Sequence, residues 1–286
     1  MASCLFAVMY FYTSLLSPLD GEEIFGWRIL LTLPCLTLFM LVSKDWPLVN
    51  TLLQRVRRNP LLLLGMVGTS SLIGVQLWLF LWAPLHGRSL EVSLGYFLLP
   101  LTMVLTGRLV YGERLSYLQK VAVLCAACGV GHELYQHGRF AWETLVVATG
   151  YPVYFVLRRK CRNENLGGLW GDMFLLLPAA LYFVVNGPLS AADMAAHPAL
   201  YGLIPLLGAI SALALVSYVL ASRLLPFGLF GLLSYVEPVL LVGVALLLGE
   251  TIGRDQWLTY LPIWAAVLVL IVEGFKHLLR QRRRPV

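Results

Sequence analysis

Three charged side chains stand out inside long apolar runs: Glu237, Arg28 and Arg108. A charge at the centre of a bilayer costs ~2.5–3.5 kcal/mol on insertion scales, so such a group usually faces a cavity or a partner. Glu237 precedes Pro238 within the apolar run 228–248. Proline removes a backbone hydrogen bond and can kink a helix, opening it where polar groups are wanted. A carboxylate there fits contact with a cationic substrate, proton exchange, or a structural ion pair across a helix bundle. Arg28 follows Glu22 and Glu23 by a helical turn. It fits recognition of a carboxylate-bearing substrate, gating, or a local pair with those acids. Arg108 lies near the end of its run, where a long basic side chain can snorkel to the interface.

Around these charges stand amides and aromatics suited to lining a cavity: Trp27, Gln76, Trp78, Tyr96, Tyr151, Tyr154, Tyr218 and Tyr235. Ligand pockets are mostly apolar with a few placed polar groups. Gln76 carries the strongest signal, because an amide in mid-span must pair. Catalytic chemistry at membrane depth would need a clustered nucleophile, base or metal ligands, and no such cluster is legible. Cys125 and Cys128 have redox spacing, yet Ala126, Ala127, Gly129 and Gly131 around them read as close helix packing. Gly167 and Gly171 give a similar packing signal. No metal and no cofactor are expected. Glycine-rich phosphate loops are absent, which excludes ATP-driven transport by this chain alone.

The elements that must position these groups are membrane helices. Of 286 residues, 59% are hydrophobic and 13% charged, far from a soluble domain. Apolar runs predict ten helices, at 1–16, 24–43, 60–83, 92–111, 117–135, 142–158, 169–187, 200–222, 228–248 and 258–276. The first is short, and the reading expects it to be trimmed at Met1. The segment 46–59 is expected to lie as a short interfacial helix, with Leu48, Leu52, Leu53 and Val56 on one side. Of the 21 Lys and Arg, 16 fall in alternate loops and tails: Lys44, Arg55, Arg57, Arg58; Arg114, Lys120; Arg158, Arg159, Lys160, Arg162; Arg223; and Lys276, Arg280, Arg282, Arg283, Arg284. The other loops hold three, Arg88, Arg139 and Arg254. That bias predicts both termini on the cytoplasmic side of a cell (inner) membrane. It assigns the net charge of +6 to topology and lipid contact rather than to nucleic acid. The expected partners are the bilayer and a small-molecule substrate, the chain acting as a monomer or homodimer.

An internal repeat is also legible. Tyr96, Pro100, Gly112 and Glu113 recur in order as Tyr235, Pro238, Gly249 and Glu250. The prolines are 138 residues apart and the Gly-Glu pairs 137 apart. Pro100 and Pro238 are expected to kink their helices. The Gly-Glu pairs are expected to be structural: the glycine ends one helix in a left-handed conformation and the glutamate starts the next. A period of five helices puts the second copy upside down. The expected fold is therefore an all-α integral membrane protein of about ten transmembrane helices in two inverted five-helix repeats, residues 1–138 and 139–286. Such repeats are a transporter architecture with a midplane site between them.

The chain resembles the drug/metabolite transporter superfamily, EamA-type, and its RarD-like permeases. The carrying residues are Glu23-Ile-Phe-Gly-Trp-Arg28, Ser93-Leu-Gly-Tyr-Phe-Leu-Leu-Pro-Leu101, the two Gly-Glu pairs, Arg223-Leu-Leu-Pro-Phe-Gly228 and Tyr235-Val-Glu-Pro238. The resemblance covers essentially the whole chain and departs from the family pattern at Trp27 and Leu99. It implies two packed five-helix bundles around a central cavity and transport, commonly export, of small metabolites or drugs. The function expected is thus a secondary transporter, not an enzyme, working by alternating access and driven by protons or by the substrate's own gradient. The alternatives are a flippase for a lipid-linked substrate and a membrane-embedded enzyme.

Overall fold

The computed structural model describes the whole chain except Glu113, 138–140, 189–195, 225–234, Asp255 and 283–286. The side chains of Leu134, Gln136, His137, Val219, Ser222, Arg223 and 277–282 are likewise outside the described residues. The Glu113 cap, the basic side chains Arg139, Arg223, Arg280, Arg282, Arg283 and Arg284, and most of the segment 223–234 therefore fall outside it.

Every regular element among the described residues is helical. The order is α1 (Ala2–Tyr12), a 3-10 turn (Thr13–Leu16), α2 (Gly21–Val42), α3 (Pro47–Arg58), α4 (Leu61–Leu85), α5 (Ser89–Tyr111), α6 (Tyr117–His137), α7 (Trp142–Lys160), α8 (Leu166–Asn186), α9 (Leu200–Leu224), α10 (Val236–Leu247) and α11 (Trp257–Arg282). In lipid a helix satisfies its own backbone, which is why continuous apolar runs take this form. Among the described residues six helices are long and apolar enough to cross a membrane: α2, α4, α5, α8, Leu200–Tyr218 of α9 and Trp257–Lys276 of α11. α6 and α7 have 21 and 19 residues but carry more polar groups. Ala2–Leu16 and α10 are shorter apolar helices. The long helices carry apolar side chains on their outward faces; in α4 Leu64 is 70% exposed and in α5 Leu109 81%.

Local chemistry sets the ends. Asp20 and Glu23 form a capping box on α2: the Asp20 carboxylate accepts from the Glu23 N–H at 2.9 Å and Glu23 accepts from the Asp20 N–H at 3.2 Å. This starts α2 at Gly21, three residues before the expected run. Arg28 consequently lies two turns into the helix, ~10 Å along its axis, rather than one. Asn165 caps α8 by accepting from the Gly168 N–H at 3.0 Å. Gly112 (φ +68) and Gly249 (φ +90) end α5 and α10 in the left-handed region that favours glycine.

Two expectations are corrected. Pro238 is in the first turn of α10, which begins at Val236, so Glu237 and Pro238 sit at a helix start rather than mid-helix. A first-turn proline removes an N–H that has no intrahelical partner anyway, so the kink expected there is not needed. Pro100 does lie in the interior of α5, which runs through it without interruption. The short helix α3 forms where expected, but its inward side is different: Val49 and Leu52 are buried while Leu53 is 47% exposed. The cause is packing against α8. A Cβ on Gly167 would lie 2.8 Å from the Leu48 carbonyl, and one on Gly171 would lie 3.0 Å from Leu52 Cδ2. The Gly167/Gly171 pair is thus a groove for α3.

The chain divides into two compact units. Unit 1 comprises residues 1–86 and 153–217, and unit 2 comprises 87–152 and 218–286. Each takes residues from both halves of the sequence. In unit 1, α8 packs on α2, α4 and α3. In unit 2, α11 packs on α6 and α5, and α10 packs along α5. The unit 2 core includes Phe97, Ala122, Ala126, Ile263, Ala266 and Val267. Gly129 lets α6 approach the Thr259 carbonyl, 2.6 Å from where a Cβ would stand. Close packing is therefore what the small residues around Cys125 and Cys128 serve.

Candidate functional site

Unit 1 has a partly open cavity of about 100 Å³ with Arg28 in its wall. Its other lining is mainly aliphatic, with Ile29, Ile73, Leu77, Met173 and the hydroxyls of Thr32 and Ser211 among the residues. α2 places Arg28 and Thr32 one turn apart on the same face, and α9 brings Ser211 across to them. The Arg28 Nε–H donates to Ser211 Oγ at 3.1 Å, and Thr32 Oγ1 donates to the same oxygen at 2.9 Å. The guanidinium carbon is 5.7 Å from the centroid of Phe80, a cation–π distance. Arg28 is 5% exposed, so it points into the protein instead of snorkelling outward. Of the nearby acids, Glu22 accepts from Trp78 Nε1 at 3.1 Å, and Glu23 accepts from the Asp20 N–H in the capping box.

The buried Gln76 belongs to α4 in the same unit, as does the half-buried Trp27 of α2; neither lines the cavity. Trp78 faces Glu22. Tyr154 is only 3% exposed and sits in a polar network instead of at a cavity wall. The network was missed in the sequence. Its centre is Asp172 of α8, which is buried. Thr69 Oγ1 donates to Asp172 Oδ1 at 2.6 Å and the Tyr154 hydroxyl donates to Oδ2 at 3.1 Å. Arg158 NH1 lies 3.7 Å from Oδ2 and donates to the Tyr154 oxygen at 2.6 Å. The same guanidinium donates to the carbonyls of Asn163 and Asn165. Arg55 of α3 donates to the Cys161 and Arg162 carbonyls at 2.6 and 2.8 Å. Two arginines thus hold the α7–α8 loop, one of them neutralised by a buried carboxylate. The available signal was Asp172 itself, a lone acid just inside the run 169–187.

Unit 2 holds the remaining candidates. The hydroxyls of Tyr96 and Tyr151 are 3.1 Å apart. Glu237 is an electrostatic neighbour of Tyr218, and Glu273 of Tyr235. Ser116 donates to the Glu273 carboxylate. His132 and Glu133 of α6 both meet the buried Thr259 hydroxyl, at 3.2 and 2.8 Å. Arg108 is exposed in the last turn of α5. Among the described residues no group of three His, Cys, Asp or Glu could hold a metal ion.

Glu250 is a cap, but not of the helix that follows it. Its carboxylate accepts from the Ser89 and Leu90 N–H groups at 2.8 and 2.7 Å, closing the start of α5. Arg88 lies beside it, 3.1 Å from Glu91 and 3.5 Å from the buried Glu143. These acids hold the Arg88 guanidinium above its ordinary pKa, the Glu91 contact most strongly. Glu250→Ala should cost ~1–2 kcal/mol, the range for losing an N-terminal cap, read as a lower thermal midpoint of the detergent-solubilised protein. A midpoint equal to wild type would mean water replaces the carboxylate at no cost.

No family model matches the chain. It is 46% identical over 289 residues to the chloramphenicol-sensitive protein RarD of Pseudomonas aeruginosa, covering 100% of this chain and 96% of that protein. It is 41% identical to an uncharacterized transporter of Pasteurella multocida, covering 98% of this chain and 96% of that one. Protein RarD of Escherichia coli is 28% identical over 266 residues, covering 92% of this chain and 88% of that protein.

Proposed function

The chain belongs to the RarD-like permease family, and from that premise we propose that it is a multi-pass secondary transporter of a small molecule in the cell (inner) membrane. The observation that carries the reading is the Arg28 site: a buried guanidinium and two hydroxyls at a cavity, within predominantly apolar helices. A buried charge in such helices usually serves a pathway or a ligand. We assign Arg28 to substrate contact. The movement is alternating access between two inverted five-helix halves, residues 1–138 and 139–286, with both termini cytoplasmic and export as the direction. Support for the repeat comes from Gly112 and Gly249, which end α5 and α10 in the same left-handed conformation. The corresponding helices also pack on each other. The positive-inside count supports the orientation.

Proton coupling is part of the proposal, with Glu237 as the carboxylate that exchanges the proton beside Tyr218. Purified protein in liposomes with an imposed pH gradient tests it, following uptake of labelled amino acids, short carboxylates, chloramphenicol and a cationic dye. Wild type should accumulate at least one compound. Glu237→Gln should abolish gradient-driven accumulation, by more than tenfold, and leave substrate exchange intact. Equal loss of both in a folded variant would remove Glu237 from coupling. Movement of none of the compounds by folded wild type counts against transport of this class.

A further inference from the structure

The Arg28 cavity is specific about the ligand it suits. Ser211 Oγ accepts from both Arg28 Nε and Thr32 Oγ1. A hydroxyl oxygen has two lone pairs and one proton, so Ser211 has only its proton left to offer. The guanidinium has donors and no acceptor. Arg28 and Ser211 therefore have donors to offer the cavity, and Arg28 is a permanent cation; Thr32 has spent its one proton on Ser211 and serves to orient it. The rest of the wall is aliphatic or aromatic: Phe6, Ile29, Ile73, Leu77, Met173 and Leu215.

Size narrows the class further. A ~150 Å³ apolar cavity holds benzene. A cavity of about 100 Å³ by that measure seats roughly four heavy atoms, a carboxylate and the first carbon of its stem, and because it is partly open the end of a short stem can extend beyond it. Most of a chloramphenicol-sized compound would lie outside it. The Ser211 and Phe80 contacts fix the guanidinium before a ligand arrives, and preorganisation lowers the ordering cost of binding.

Building on the transporter reading, we propose that this cavity binds the carboxylate of a short-chain aliphatic monocarboxylic acid, with Arg28 and the Ser211 hydroxyl on the carboxylate and the alkyl stem among Ile73, Leu77 and Met173. A phosphate, whether free or on a lipid headgroup, would leave the aliphatic wall unused.

The test is calorimetric titration of the purified full-length protein with butyrate and isobutyrate, beside isobutyramide and isobutylamine as neutral and cationic analogues of similar shape. Saturable binding of the acids, at least tenfold tighter than either analogue, is expected. Arg28→Lys should weaken acid binding at least tenfold, because an ammonium cannot reproduce the planar fork. Leu77→Trp, which fills the cavity and leaves Arg28 in place, should abolish binding while keeping the wild-type elution profile. Equal binding of the amide or amine, undiminished acid binding by Leu77→Trp, or no binding of either acid to wild type would each overturn the proposal. The two readings separate cleanly. Acid binding without movement of the acids or any other compound in liposomes retains the site and removes the transport function. Movement of other compounds by protein that binds no acid does the reverse.

Discussion

Asp172→Ala should destabilise the protein by ~3–5 kcal/mol, the cost of removing one partner of a buried charge pair. Three groups lose their acceptor together: the Thr69 hydroxyl at 2.6 Å, the Tyr154 hydroxyl at 3.1 Å and the Arg158 guanidinium at 3.7 Å. Arg158 keeps the Asn163 and Asn165 carbonyls, but its charge stays 8% exposed with no carboxylate beside it. The α7–α8 loop it anchors should loosen as well. Asp172→Asn keeps the shape and an oxygen for Thr69, so its loss should be nearer the ~1–3 kcal/mol of a damaged buried hydrogen bond. The measurement is the thermal midpoint of the fluorescently tagged protein by size-exclusion after heating. A fall on the order of 10 °C is expected for alanine, and about half of that or less for asparagine. An alanine variant with the wild-type midpoint would show that the network contributes nothing net.

Gly26→Leu should have an effect of similar size through packing alone. A Cβ on Gly26 would stand 2.7 Å from the Ala180 carbonyl oxygen and 2.7 Å from Val184 Cγ2. The first of these is backbone and cannot rotate away, so α2 and α8 must part. Overpacking of this kind typically costs ~1–3 kcal/mol, and more where no repacking is available. Here the consequence reaches the site. α2 contributes Arg28, Ile29 and Thr32 to the cavity, and α8 contributes Leu169 and Met173. Separating the two helices opens that wall. Gly26→Leu should therefore lower both the thermal midpoint and any ligand affinity of the cavity. Gly243→Leu is the control, since a Cβ there meets nothing within 4 Å. If Gly26→Leu and Gly243→Leu behave alike, close approach of α2 and α8 is not what Gly26 provides.

Much of the helical framework could be read directly from the residues. Apolar runs separated by polar turns leave few alternatives in lipid, so most described helices appear within several residues of where they are expected; the helix expected over 228–248 is described only from Val236. The left-handed glycines at Gly112 and Gly249 were legible because only a residue without a Cβ adopts that turn cheaply. Arg28 was legible because a lone arginine in an apolar run needs a reason. Asp172 was not, because it lies at the start of its run, where an acid reads as the edge of a loop. Arg158 was misread for the same reason. It counts as one of a cluster of loop cations, yet it is buried and holds the loop together.

By itself the sequence determined that this is a helical membrane chain, roughly where most of its described helices run, and some of the residues that are too polar for their surroundings. Those are properties of each segment against its solvent, and lipid imposes them one helix at a time. Partner choice was decided only by the tertiary structure. Glu250 caps α5 from 160 residues away, instead of the helix after it. Ser211 meets Arg28 across 183 residues, and Asp172 meets Thr69 across 103. Helices in lipid gain little from burying one apolar face in preference to another. Which faces meet is set by where a glycine admits a neighbour and where a buried polar group finds its complement. Both are relations between segments, visible only once the segments are packed.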